Sequence, residues 1–155
     1  PWSVATPVGR RLFTDAWDGY PAARERLLAG IAEAGLANVV ALGGDVHRHV
    51  AADLRLVPND PRSPVVASEF VTSSITTRGL PGYAQGLVRS SNPDLRHARS
   101  DERGYVLLSV DTHRARAEFR ATRFPVAADA RLHTQAVFVV EHGRAGVQAD
   151  QVGEP

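Results

Sequence analysis

The sequence contains no cysteine and no lysine, and its apolar runs are short. The absence of cysteine excludes disulfide bonds, so the chain requires no oxidising compartment and also tolerates one. Without lysine, every strong cation is an arginine, which is consistent with phosphate recognition and equally with codon bias in the source genome. No apolar stretch approaches the ~18 residues of a membrane span, and nothing resembles a signal peptide. We therefore expect a chain without a membrane span.

Length and charge narrow the class of protein further. A chain of 155 residues corresponds to one domain with its own core. The 18 arginines nearly balance 17 acidic residues, so nucleic-acid binding is supported only by arginine content and a pI near 8.9. The sequence begins at Pro1 and not at methionine, which predicts a fragment or processed product. We assign residues 1–150 to one partial domain and 151–155 to a flexible tail.

The first half of the chain shows a helix followed by a buried strand. Pro21 begins a helical pattern and Gly35 is a typical stop. The run at 38–42 is apolar throughout, as in a strand covered on both faces of a parallel or mixed sheet. This order favours an α/β layered fold, in which ligands bind beyond the carboxyl ends of central strands. The predicted apolar face of the helix comprises Ala23, Leu27, Leu28, Ile31 and Ala34.

The second half is predicted to consist mainly of strands. Residues 80–103 lack a period and are predicted to form a long loop or a broken helix. The short segment "DTHR" fits a hairpin turn. After the last strand, "RAGVQADQVGEP" is predicted to be a fraying tail. The predicted strands are "SPVVASEFVTSSI", "GYVLLSVD", "RARAEFRAT" and "TQAVFVVEHG".

The segment "GGDVHRH" follows the first predicted strand and contains the candidate metal-binding residues. Asp45 and His47 are two positions apart, so they share a face if the backbone remains extended. One carboxylate with one imidazole is typical of sites for zinc, manganese or iron. Gly43 and Gly44 would allow a tight turn close to the ion. The alternative interpretation is an ordinary loop with two solvated side chains.

Other polar residues are weaker candidates. His49 continues the alternation, but residues 50–52 resume an apolar pattern that indicates a helix, so we interpret His49 as a neighbour of the site. Asp18, in "DAWDGY", would orient a ligand from behind the coordinating residues or else belong to a helix cap. Glu69, Ser73 and Ser74 lie near a strand end, where hydroxyls approach phosphate or simply form turns.

Five stretches, taken in order, carry a family resemblance. The chain resembles the carboxy-terminal half of the PhoD-type alkaline phosphatases, a branch of the calcineurin-like metallophosphoesterases. Five ordered matches are far more specific than any one of them. The stretches are "DAWDGYPAARERLL", "NVVALGGDVHRHVAADL", "SEFVTSSITTRG", "NPDLRHARSDERGYVLLSVD" and "FVVEHGRAGVQ".

The resemblance implies a fold, a site and an activity. The fold implied is the carboxy-terminal half of a layered α-β-β-α sandwich with a mixed sheet and flanking helices. The superfamily has a Gly-His-x-His metal-binding loop, and "GDVH" resembles the PhoD-type version of it, which implies that Asp45 and His47 are metal ligands. Hydrolysis of phosphate monoesters and diesters, iron and calcium as metals, and a periplasmic or secreted location are implied in the same way.

Two departures from the family pattern are visible. The family often has Asn-Pro-His where this chain has Asn92, Pro93 and Asp94, so the role of that histidine is either absent or taken over by His97. The earlier Gly-Asp-x-x-Tyr and Asp-Asp-His-Glu blocks are not found before "GGDVH". We therefore expect the missing amino-terminal half of the same enzyme to be a partner that supplies further ligands. The alternative is a truncated, non-catalytic binding or interaction module.

Overall fold

The computed structural model describes residues 3–6, 9–12, 14–79 and 82–150. Two four-stranded sheets form the body of this part of the chain, and a two-stranded hairpin precedes them. In chain order the elements are β1 (Ser3–Thr6), β2 (Gly9–Leu12), a 3-10 turn (Trp17–Gly19), α1 (Pro21–Glu33), β3 (Val40–Gly43), β4 (His49–Arg55), β5 (Val65–Val71), α2 (Gly82–Ser91), β6 (Leu95–Arg99), β7 (Glu102–Val110), β8 (Arg114–Arg123), β9 (His133–Glu141) and β10 (Gln148–Ala149).

The first sheet is mixed and has the strand order β3-β5-β4-β6. Strands β3 and β5 are parallel, whereas β4 is antiparallel to both β5 and β6. The ends of β3, β5 and β6 therefore lie at the same edge as the beginning of β4. We call this the loop edge; it consists of residues 44–48, 72–79 and 100–101. In the described part of the chain β3 is an outer strand of this sheet and not a central one.

The second sheet is antiparallel, with the order β10-β9-β8-β7. The predicted hairpin turn at "DTHR" is confirmed, because Asp111 Oδ1 accepts hydrogen bonds from the backbone N–H groups of His113 and Arg114 at 2.7 and 3.0 Å. The core lies between the two sheets, where the Phe119 ring meets those of Phe70 and Phe138 edge-on. Its fully buried members are Ala51, Phe70, Ala117, Phe119, Val140 and Val147.

Helix α1 contacts β5 on the other face of the first sheet. It begins with a proline in its first turn and ends before Gly35, whose φ of +61° is left-handed, so both predicted signals are confirmed. Only Leu28 of the predicted apolar face is fully buried, whereas Leu27 is 51% exposed. Among the described residues, α1 therefore covers the sheet with a narrow stripe. The resulting order of layers is helix, mixed sheet, antiparallel sheet.

The structure corrects the helix predicted at residues 50–52. Val50, Ala51 and Ala52 are part of β4, paired with β5 on one side and β6 on the other. Successive side chains enter opposite cores: Ala51 packs between the sheets, and Val50 and Ala52 pack with Val71 on the other face. A strand buried on both faces is apolar at every position, and such a short run has no period that separates it from a buried helix.

Two further segments are more ordered than predicted. Residues 80–103 contain α2 and the strand β6, so only the broken-helix alternative is close to the structure. The predicted fraying tail contains β10, and Val147 is only 8% exposed. The backbone N–H of Val147 donates to Asp53 Oδ1 at 2.8 Å, which fastens this segment to the first sheet. The predicted flexible tail at 151–155 lies outside the described residues.

The helices described by the structure lack the length and the apolar character that a membrane span requires.

Candidate metal site

The loop from 44 to 48 is formed by an unusual backbone. Asp45 and His47 have φ values of +70° and +53°, both in the left-handed region. The expectation of an extended backbone is therefore wrong, and so is the reason given for their sharing a face. Left-handed residues other than glycine are uncommon and cost roughly 1–2 kcal/mol each, although Asp, Asn and His adopt this region more readily than most residues. Asn38 and Asn59 are also left-handed in this chain. Such conformations concentrate at active sites and ligand clamps, where the surrounding structure holds them.

The two glycines before this loop contribute less than predicted. Neither Gly43 nor Gly44 has a left-handed φ. A Cβ atom at Gly43 would meet the Val71 side chain at 3.4 Å, and one at Gly44 would meet Thr72 at 3.6 Å, so side chains would nearly fit. The tight turn is made by the two predicted ligands themselves.

A cleft of about 340 Å³ opens on the α1 face of the first sheet beside this loop. Asp45 is exposed and lines the cleft, whereas His47, which is half-buried, is not among the lining residues. Neither side chain hydrogen-bonds to another residue in the described part of the chain, so both are available to a ligand. The charged residues that line the cleft are Asp15, Asp18, Arg24, Asp45 and Glu69.

The cleft is acidic in character. Asp18 is 9% exposed and lies in the 3-10 turn that forms one wall. Burial raises the pKa of Glu69; the nearby Asp18 carboxylate adds to the effect, and Arg24 opposes it. Four carboxyl groups thus face one guanidinium in this cleft. A bound cation would reduce the electrostatic cost of placing them together.

The donors at 45 and 47 fit a metal, but they do not complete a site. A carboxylate oxygen and an imidazole nitrogen are suitable ligands for zinc, manganese or iron. Within residues 14–79 and 86–150, whose side chains are described, no group of three or more potential His, Cys, Asp or Glu ligands is close enough to hold an ion. Two ligands alone bind weakly, so the chemistry of the donor set requires further ligands from elsewhere.

The structure places His49 and His97 away from the cleft, between the two sheets. His49 is 1% exposed, and its ring meets the Phe119 ring edge-on, with centroids 5.1 Å apart. Its Nδ1 and the Nε2 of His97 both contact Oε1 of Gln135, at 3.2 and 2.9 Å. His49 therefore does not line the cleft, and its interpretation as a neighbour of the metal site stays a prediction. His97 lies in the same buried network, not beside Asp45.

Ser73, Ser74 and Asn92 are engaged in structural hydrogen bonds. The Ser73 hydroxyl donates to the Glu102 carbonyl at 3.2 Å, and the Ser74 hydroxyl donates to the Thr77 carbonyl at 2.6 Å. The Asn92 amide donates to the Val88 carbonyl at 2.6 Å and closes the end of α2. None of the three is among the residues that line the cleft.

Asp94, which stands where the family pattern has histidine, is also structural. Its carboxylate accepts hydrogen bonds from Arg55 Nε at 2.8 Å and from the backbone N–H of Asn59 at 2.6 Å. The side chain is 7% exposed, so this ion pair lies inside the protein. The departure from Asn-Pro-His therefore replaces an imidazole with a buried anchor for neighbouring loops.

Sequence reasoning missed Arg103, which is 1% exposed and lies at the loop edge. Its Nη1 atom contacts the carbonyl oxygen of His47 at 3.4 Å and the Ser74 hydroxyl at 2.9 Å. No feature of the string "DERGYV" distinguishes this arginine from the other 17. Gln135 was missed for the same reason, since its role depends on residues distant in the chain.

Comparisons with known proteins agree with this architecture. The profile of the PhoD-like phosphatase family matches residues 4–119. Alkaline phosphatase D of Bacillus subtilis (strain 168) is 33% identical over 150 residues, which is 95% of this chain and 26% of that protein. A solved structure described as PhoD superposes with a TM-score of 0.84 at 29% identity, over 99% of this chain and 30% of that one. The chain thus spans roughly a quarter of its curated relative. By family profile, sequence identity and fold, this chain belongs to the PhoD-like phosphatase family.

Proposed function

We propose that the protein containing this chain is a metal-dependent phosphoesterase that hydrolyses phosphate monoesters or diesters, and that this chain supplies two of its metal ligands, Asp45 and His47. The observation that carries the proposal is the loop between β3 and β4. Two residues with metal-binding side chains adopt costly left-handed backbones there, and both side chains lack partners among the described residues. In a member of a phosphatase family, two successive potential ligands with this backbone support a ligand-binding loop.

The charged residues of the loop and the cleft would have different roles in the reaction. Asp45 and His47 would hold the ion, which when bound supplies Lewis-acid activation of water and neutralises charge on the phosphoryl oxygens. Asp18 and Glu69 line the cleft behind Asp45. Their carboxylates would orient the coordinating groups and attract the metal cation to the site. Arg24, the cation of the same cleft, is placed to attract the anionic ester.

The resemblance to the PhoD-type enzymes and the types of donor atoms suggest which metals and which substrate the site would bind. Iron and calcium are the proposed metals, with zinc or manganese as alternatives that the same donors accept. The part of the enzyme that lies outside this chain is the proposed source of the remaining ligands, and a phosphate ester is the proposed substrate. A periplasmic or secreted location completes the proposal.

The test uses the complete protein that contains this chain. His47→Gly removes the imidazole without imposing the left-handed strain that alanine would suffer. We expect this variant and Asp45→Asn to lose bound iron, measured by elemental analysis, together with hydrolysis of a phosphodiester. His113→Gln, which changes a side chain that is 90% exposed, serves as the control. Full metal content and activity in His47→Gly would overturn the assignment.

Metal analysis also distinguishes the phosphoesterase from the alternative function, a non-catalytic interaction module. If the folded wild-type protein binds none of the four metals and hydrolyses no ester, the non-catalytic interaction module is favoured. Unfolding temperatures of all variants are measured in the presence of a chelator, so that a loss of folding is not mistaken for a loss of ligands.

A further inference from the structure

Arg103 is a buried cation at the loop edge whose hydrogen bonds all go to neutral oxygens in the described part of the chain. Its side chain reaches the Thr77 carbonyl at 2.6 Å and also contacts the Ser100 carbonyl. The guanidinium carbon lies 5.3 Å from the centre of the Phe124 ring, and Nε is buried without a hydrogen-bond partner. Burying a guanidinium is costly even with the Asp101 carboxylate acting on it from nearby, so a residue in this position requires an explanation beyond packing.

The partners of Arg103 come from every segment of the loop edge. The Ser74 hydroxyl and the Thr77 carbonyl belong to the loop after β5, Ser100 follows β6, and the His47 carbonyl belongs to the loop between β3 and β4. A guanidinium presents several donors in a rigid planar fork, which one ammonium group cannot reproduce. Arg103 therefore joins the candidate metal loop to two loops that are otherwise separate from it in sequence.

The metal loop itself contains few hydrogen bonds. The backbone N–H of Val46 donates to the Gly44 carbonyl at 2.9 Å, and Arg48 Nε donates to the Val46 carbonyl at 3.0 Å. Both bonds lie within the loop. The contact from Arg103 links this loop to the other segments of the loop edge, and it is made to the carbonyl oxygen of His47, a residue with a left-handed backbone.

We propose that Arg103 is a positioning residue for the metal site, which holds the His47 backbone in its left-handed conformation and thereby aims the imidazole at the ion. The proposal rests on the assignment of His47 as a ligand. Groups that orient a metal ligand from behind typically change metal affinity about 10–100-fold when they are replaced. Arg103→Lys keeps the charge but loses the fork, so we expect it to weaken metal binding by about tenfold or more.

Arg55 provides a matched control at the opposite end of β4. It donates from Nε to Asp94 Oδ1 at 2.8 Å and from Nη1 to the Ser63 carbonyl at 2.6 Å, and its side chain is 15% exposed. Arg55→Lys therefore damages a comparable buried arginine without touching the loop edge. We expect it to lower the unfolding temperature and to leave metal affinity unchanged.

The experiment measures the affinity of the complete protein for Mn²⁺ alone, by competition with a chelator and without substrate, alongside unfolding temperatures. Wild-type affinity in folded Arg103→Lys, or an equal loss in Arg55→Lys at equal loss of unfolding temperature, would overturn the proposal. If Arg103→Lys does not fold, Ser74→Ala replaces it. This variant removes one anchor of Nη1 and should weaken Mn²⁺ binding in the same direction, and an unchanged affinity would contradict the proposal.

The outcome for His47→Gly distinguishes a failure of the ligand assignment from a failure of the positioning role of Arg103. If that variant binds Mn²⁺ normally, the ligand assignment has failed and the role of Arg103 fails with it. If His47→Gly loses the ion but Arg103→Lys and Ser74→Ala do not, the ligand assignment stands and only the positioning role is wrong.

Discussion

The side-chain amide of Gln135 donates from Nε2 to Oε2 of Glu102 at 2.7 Å. Because a carboxylate only accepts, this bond orients the amide and turns its oxygen towards His49 and His97. An amide oxygen also only accepts, so each histidine must donate. The neutral tautomers are therefore protonated on Nδ1 in His49 and on Nε2 in His97. Between the sheets, the Nε2 atom of His49 has no hydrogen-bond partner among the described residues.

This network predicts that stability depends on pH. Burial lowers the pKa of His49 to about 4 from 6.5, with His97 and Arg103 adding to the effect and the Gln135 hydrogen bond opposing it. Burial also lowers the pKa of His97. The unfolded chain thus binds more protons, and the free energy of unfolding falls as pH drops from 6.5 towards 4. The contribution of His49 is present in full above pH 6.5, and its complete loss amounts to about 3 kcal/mol.

Urea unfolding across that pH range measures the effect. We expect His49→Leu to flatten the dependence, since leucine cannot take up the proton, while His113→Gln on the surface retains it. The comparison of slopes separates His49 from carboxyl groups that titrate at the lower end of the range. An unaltered slope in His49→Leu would show that the buried histidine is not the cause.

The hydrogen bonds of the buried Asp53 carboxylate lead to a second prediction about stability. Its Oδ2 accepts hydrogen bonds from Arg96 Nε at 2.8 Å and Nη2 at 2.5 Å, and its Oδ1 accepts one from the Val147 backbone. In Asp53→Asn, either orientation of the amide places its NH₂ group against a donor. We expect a loss of about 1–3 kcal/mol in the free energy of unfolding. Asp129→Asn, at an exposed residue, is the control, and equal unfolding temperatures for both variants would refute this account.

A third prediction compares two glycines. A Cβ at Gly79 would lie 2.4 Å from the Ser100 carbonyl oxygen and 2.9 Å from Arg103 Nη2, whereas one at Gly30, inside α1, meets nothing within 4 Å. Gly79→Ala should therefore destabilise the protein by about 1–3 kcal/mol through overpacking. Gly30→Ala should stabilise it by about 0.5–1 kcal/mol through helix propensity. Thermal unfolding of both variants tests the signs, and a stabilised Gly79→Ala would contradict the packing at the loop edge.

Much of the fold was predictable because its signals are local. The ends of α1 follow from Pro21 and Gly35, and the hairpin at Asp111 follows from turn chemistry between two alternating strands. The strand at 50–52 was not predictable, because a short, fully apolar run fits a strand and a buried helix equally well. Cross-strand pairing with β5 and β6 decides between them, and that pairing involves residues far along the chain.

The candidate site, like the fold, was predictable from the sequence only in part. Asp45 and His47 stand out by residue type, spacing and resemblance to the PhoD-type loop, yet their left-handed backbones are a property of the folded loop. Their role as ligands remains a prediction. His49 continues the alternation in the sequence, but alternation along β4 turns it to the face opposite the cleft. Within β4, His49 shares its face with Ala51, two positions later, and this is the reason why it lies between the sheets.

The sequence by itself determined the family, the ends of α1, the hairpin at Asp111 and the two residues most suited to bind a metal, because each depends on short segments of the chain. Only the tertiary structure decided which polar residues support that site. Arg103 reaches oxygens that are 56, 29 and 26 positions earlier in the chain. Such contacts exist only once the strands pair and bring the loops to a common edge, so no local pattern could single out this arginine.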